Sequence, residues 1–157
     1  TPPASPMPPP TPRTDSPCVC GRLRRAARAL TQLYDDVLTP SGLRVTQFSL
    51  LSTLARRGPL RMTDLATVAM LDRTALSRNL EPLAAQGLVR IATGTDARTR
   101  EISLTRAGEA ALARALPHWR RAQAQVARQL GDQRNDTLIG LLADVEELHP
   151  AVQQQPG

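Results

Sequence analysis

The stretch Thr63-Asp64-Leu65-Ala66-Thr67-Val68-Ala69-Met70-Leu71-Asp72-Arg73-Thr74-Ala75-Leu76-Ser77-Arg78-Asn79-Leu80-Glu81-Pro82-Leu83-Ala84-Ala85-Gln86-Gly87 decides the fold. Thr63 is a candidate N-cap for a short helix with Leu65, Val68 and Ala69 on one face, and Met70-Leu71 reads as a tight turn. Asp72 caps a second helix, Arg73 to about Gln86, that Gly87 ends. Leu76, Leu80, Leu83 and Ala84 share its apolar face, while Arg73, Thr74, Ser77 and Arg78 lie elsewhere. Two short capped helices joined by a turn, the second with a polar and basic outer face, describe a helix-turn-helix. Pro82 cannot donate to the carbonyl of Arg78, so a bend is expected there.

Downstream, Leu88–Ile91 and Arg100–Leu104 alternate as the strands of a hairpin around the loop 93–99, which reads as the wing of a winged helix. Upstream, Leu60-Arg61-Met62 reads as a short strand, and Thr46 to Arg57 as a helix with Phe48, Leu51 and Leu54 inward. Before that, Ser16-Pro17 reads as the start of a long helix with Cys20, Leu23, Ala27, Leu30, Tyr34 and Val37 at spacings of three and four. After the hairpin, Thr105 caps another long helix with Leu112, Leu116, Trp119, Val126 and Leu130 as its stripe, Pro117 as an expected kink and Gly131 as its stop. The last helix places Leu138, Leu141, Val145 and Leu148 in a seam that asks for a partner helix. The expected fold class is mainly α, an α+β winged helix-turn-helix core with N- and C-terminal dimerisation helices.

Composition agrees with packed helices. The chain has 157 residues and only three aromatics, Tyr34, Phe48 and Trp119, so its core is built from aliphatic side chains. No apolar run reaches the roughly 18 residues of a membrane helix, which excludes a helical span. All 20 basic residues are Arg, and the formal net charge is +6. Residues 42–106 hold +5 of it, against −1 for residues 107–157. A basic surface concentrated in the middle of the chain, built from a side chain suited to phosphate and guanine edges, points to a nucleic-acid partner, and together with the helix-turn-helix to double-stranded DNA. Residues 1–16 are Pro-rich and read as a disordered arm without the basic start or apolar middle of a signal peptide.

Three linked motifs resemble the MarR family of bacterial winged-helix transcription regulators: Leu71–Leu83 followed by Gly87-Leu88-Val89, then Asp96-Ala97-Arg98, then Ser103-Leu104-Thr105-Arg106-Ala107-Gly108. The resemblance covers about residues 20–150 and implies a cytoplasmic homodimer, most simply a repressor at a pseudo-palindromic operator. Residues 17–40 and 106–150 would form the dimerisation region, 41–105 the DNA-binding domain and 151–157 a tail. Arg78, Thr74 and Ser77 are the expected base-edge or phosphate contacts, and Arg73 a phosphate contact. Arg98 would enter the minor groove, Asp96 would hold its guanidinium, and Arg100 would face a phosphate or an acid.

The resemblance also implies release of DNA by a small molecule, often aromatic or phenolic and anionic, or by thiol oxidation. Cys18 and Cys20, at a helix start near Arg22 and Arg24, are the candidate redox pair, although Cys20 also lies on the apolar stripe. His118 and His149 have no metal-ligand spacing, and no cofactor is expected. No phosphate loop, paired carboxylates or nucleophile–base constellation supports an enzyme. The alternative reading is a signal-independent architectural DNA-binding protein.

Overall fold

The computed structural model describes residues 16–93 and 100–150. Residues 1–15 of the Pro-rich arm, the 151–157 tail, and both Asp96 and Arg98 lie outside the described residues. The elements run α1 (Val19–Leu38), a 3-10 turn (Thr39–Ser41), α2 (Val45–Arg57), β1 (Leu60–Arg61), α3 (Met62–Ala69), α4 (Arg73–Ala85), β2 (Val89–Ala92), β3 (Glu101–Leu104), α5 (Arg106–Leu130) and α6 (Asp132–Glu146). The strands form an antiparallel sheet of order β1-β3-β2, with Ile102 opposite both Leu60 and Ile91. This is the winged-helix arrangement expected from the sequence.

Local chemistry sets most of the boundaries. The Asp72 carboxylate accepts the Ala75 N–H at 2.7 Å and starts α4, and the Thr105 hydroxyl accepts the Gly108 N–H at 3.0 Å and starts α5. Thr105 also donates to the Gly87 carbonyl at 2.6 Å, tying the end of α4 to the start of α5. Two expected starts move. Helix α1 begins at Val19 with Cys18 as its N-cap, two residues beyond Ser16-Pro17. Helix α3 begins at Met62 rather than after Thr63, because β1 runs straight into it and the Met62 N–H is taken by the Arg100 carbonyl at 2.8 Å. Pro82 and Pro117 both sit inside continuous helices.

The core gathers Leu38, Leu51, Leu54, Leu65, Leu76, Leu80, Leu83 and Ile102, all fully buried, between the helix-turn-helix, the sheet and the first half of α5. On α5 the most buried line is Gly108, Ala111, Ala115 and Ala122, not the larger residues of the expected stripe. Small residues let α1 and α2 approach the α5 backbone closely, and Leu112, Leu116 and Trp119 pack beside that line, half-buried. Helices α1 and α5 run antiparallel: the Tyr34 hydroxyl donates to Gln123 Oε1, and Leu30 shares a groove with Val126 and Leu130. Burial at this seam pushes the Tyr34 phenol above its ordinary pKa.

Candidate nucleic-acid interface

At about 100° per residue, Leu76, Leu80 and Leu83 centre the buried face of α4 and put Thr74, Arg78 and Glu81 opposite it. The structure agrees, with those three leucines buried and Thr74, Arg78 and Glu81 exposed. Arg73 and Ser77 flank this ridge. Arg73 is exposed, whereas Ser77 is half-buried and sits lower on the helix than a fully outward residue. The N-terminal half of α4 thus presents Arg73, Thr74 and Arg78 together with the positive end of the helix. Glu81, one turn beyond, is an acid that would repel a phosphate, so the surface fits DNA best through its first two turns.

The helix is held at a fixed angle by its surroundings. Met70 takes a left-handed φ of 53° between α3 and α4, and the Leu71 N–H closes the turn onto the Ala66 carbonyl at 3.0 Å. Arg100, exposed, leads into β3 from the hairpin loop. Sequence reasoning passed over two further exposed arginines on the sheet, Arg61 of β1 and Arg90 of β2. Their alternation with buried Met62 and Val89 was a usable signal.

Away from this surface, a cavity of about 320 Å³ opens between α2 and α5, lined by Phe48, Ser49, Ser52, Thr53, Arg56, Leu116 and Trp119. Phe48 and Trp119 stack with ring centroids 5.6 Å apart. The arginine at this cavity, Arg56, comes from α2. The neighbouring His118 buries Nδ1 without a hydrogen-bond partner among the described residues. Cys18 and Cys20 are free and exposed, so Cys20 is not a core residue of the chain, and the Cys18 thiol accepts the Gly21 N–H at 3.4 Å. Among the described residues no group of three or more His, Cys, Asp or Glu could hold a metal ion, and no helix is long and apolar enough to cross a membrane.

A helix-turn-helix followed by a hairpin, with an arginine and a threonine on the outward ridge of its second helix, defines a winged-helix protein of the DNA-binding class. Residues 41–99 match the model of the MarR family. The M. tuberculosis transcriptional regulator MosR, solved in complex with DNA, is 43% identical, with a TM-score of 0.67 over 83% of this chain and 99% of that one. The transcriptional repressor CouR, solved bound to p-coumaroyl-CoA, is 25% identical, with a TM-score of 0.75 over 84% of this chain and 94% of that one. An HTH-type transcriptional regulator of Bacillus cereus is 36% identical over 96 residues, a match that spans 61% of this chain and 64% of that relative. The chain belongs to the MarR family of winged helix-turn-helix transcription regulators.

Proposed function

We propose that the protein is a cytoplasmic, homodimeric repressor that binds a pseudo-palindromic operator and releases it when a small anionic aromatic compound binds. The observation that carries the DNA-binding part is the ridge of Thr74 and Arg78, opposite a fully buried leucine face. Residues 41–105 act as the reading unit, with Arg78 and Thr74 at base edges in the major groove and Arg73 and Arg100 on phosphates. Ser77 contributes a hydrogen bond from the flank of the ridge, and Arg98, steadied by Asp96, reads minor-groove shape. Residues 17–40 and 106–150 pair the two copies.

The effector reading draws on the cavity between α2 and α5. The stacked Phe48 and Trp119 offer a flat apolar wall, Ser49 and Ser52 offer hydroxyls, and Arg56 has no acidic partner among the described residues. A ligand there would touch α2 of the reading unit and α5 of the pairing region at once, so its binding energy can shift the spacing of the two recognition helices. The repressor CouR, solved with an aromatic acyl thioester, supports a ligand of this general kind.

A labelled duplex captured from the protein's own genome, titrated while the fluorescence of Trp119 is followed, tests both parts. Simple aromatic carboxylates should quench Trp119 and release the duplex, whereas Arg56→Ala should hold the duplex and respond to neither. If no genomic duplex is captured, the regulator reading fails. If release is undiminished in Arg56→Ala, the cavity is not the effector site.

A further inference from the structure

The described chain carries a second concentration of arginines, away from α4. Between Ser16 and Tyr34 the sequence holds Arg22, Arg24, Arg25 and Arg28 and no acid, and all four are exposed on α1. At about 100° per residue, Arg24, Arg25 and Arg28 fall within one arc of about 100°, centred roughly 140° from the line of Leu23, Ala27 and Leu30. Whatever covers that apolar line leaves the three guanidinium groups pointing outward, and among the described residues none of the three has a carboxylate partner. Further along the helix the same face turns acidic. Asp35 accepts the Val45 N–H and Asp36 the Gln32 side-chain amide, each at 2.8 Å, so the basic face ends before residue 35.

This face is remote from the reading unit. Helix α5 leaves the hairpin at Arg106 and reaches Leu130 about 35 Å further on at the usual helical rise. Leu30 shares a groove with Val126 and Leu130, so residues 19–29 of the antiparallel α1 continue beyond that far end. Helix α4 is tied to the opposite end, where the Thr105 hydroxyl donates to the Gly87 carbonyl. A duplex lying on α4 does not extend to the arginines of α1.

The chemistry of the face selects among polyanions. Besides its arginines it offers Gly21 and Gln32 and no aromatic or long aliphatic side chain. A protein partner needs an apolar or aromatic anchor at the centre of the contact. A helix lying on lipid turns its bulky apolar residues into the surface that its charges attract, whereas here the two point apart. A phosphate backbone asks for charge alone, and each guanidinium can grip two of its oxygens at once.

We propose that Arg24, Arg25 and Arg28 form a second nucleic-acid surface, which holds the phosphate backbone of a separate duplex while α4 reads the operator. It uses no residue of the operator surface and adds a bridging activity to it: one molecule ties together two stretches of DNA. The second contact is indifferent to sequence, because phosphate contacts fix position and carry no base information.

Capture of a second duplex tests the idea. The full chain is loaded onto beads that carry the genomic duplex it binds most tightly, then offered a labelled duplex of random sequence. Wild type should retain the label, and retention should fall with salt at a log–log slope of at least about 2.7, three phosphates at ~0.9 each. Arg24→Gln/Arg25→Gln/Arg28→Gln and the corresponding triple Glu variant should retain at least tenfold less label. Both should still load onto the beads as well as wild type and sediment at wild-type size. A wild type that retains no label, or a variant that retains as much as wild type, would overturn the proposal. So would labelled poly-glutamate held as firmly as the duplex, because the partner would then be an acidic protein. Variants that load poorly would move these arginines to the operator contact, and variants that sediment as a smaller species would move them between copies; either result also ends the proposal.

Discussion

Arg78→Ala is expected to weaken binding to the operator duplex by about tenfold or more, since one bidentate arginine contact to a base is worth ~1–3 kcal/mol of discrimination. Arg78 is exposed at the centre of the α4 ridge, opposite Leu76, Leu80 and Leu83, so its removal opens no cavity and the thermal midpoint should not move. Arg78→Lys separates two roles. A lysine keeps the charge but loses the planar fork, so it should recover phosphate attraction without recovering preference for the cognate base. Fluorescence anisotropy on cognate and scrambled duplexes reads both quantities. Equal affinity of wild type and Arg78→Ala for the cognate duplex would remove Arg78 from the interface.

The second large effect concerns folding. Gly108→Ala should destabilise the chain by about 3 kcal/mol, the upper range for overpacking a tight contact, and lower the midpoint by roughly 10 °C for a domain of this size. A Cβ at Gly108 would lie 2.0 Å from the Leu88 carbonyl oxygen and 2.6 Å from Leu104 Cδ1. The carbonyl is backbone, and it accepts the Thr105 N–H at 3.2 Å, so it cannot swing away without loosening the first turn of α5. The whole N-terminal end of α5 must then lift from the hairpin, carrying Ala111 and Ala115 out of the core. Gly140→Ala is the matched control, because nothing lies within 4 Å of its added Cβ and alanine is the better helix former. Thermal denaturation of the two variants side by side should show a large fall for the first and none for the second. A Gly108→Ala midpoint within a degree or two of wild type would show that α5 is not seated through this contact.

These effects also mark what sequence can and cannot show. The caps at Asp72 and Thr105 were legible because each bond spans three residues, as was the outward position of Arg78, which needs only helical periodicity and three leucines. Helix α3 started earlier than Thr63 implied because the Met62 N–H is bonded to Arg100, and strand pairing across that distance leaves no local trace. The stripe on α5 was misplaced for a related reason. Hydrophobicity ranks Leu112 and Leu116 above Ala111 and Ala115, but close helix approach rewards the smaller side chain. The cavity at Phe48, Arg56 and Trp119 joins α2 to α5, more than sixty residues on, and no spacing rule connects them. The apolar stripe of α1 was visible, but the exposure of Cys20, Ala27 and Leu30 was not, because periodicity marks an apolar face without saying how much of it the described residues cover.

Hydroxyl-radical footprinting of the full chain on the genomic duplex it binds most tightly tests the central claim most directly. Two protected, symmetry-related half-sites should appear, their centres about one helical turn (10–10.5 base pairs) or a multiple of it apart, as two recognition helices of one dimer require. A single unpaired patch, or even protection that follows no sequence, would contradict a dimeric operator-reading regulator.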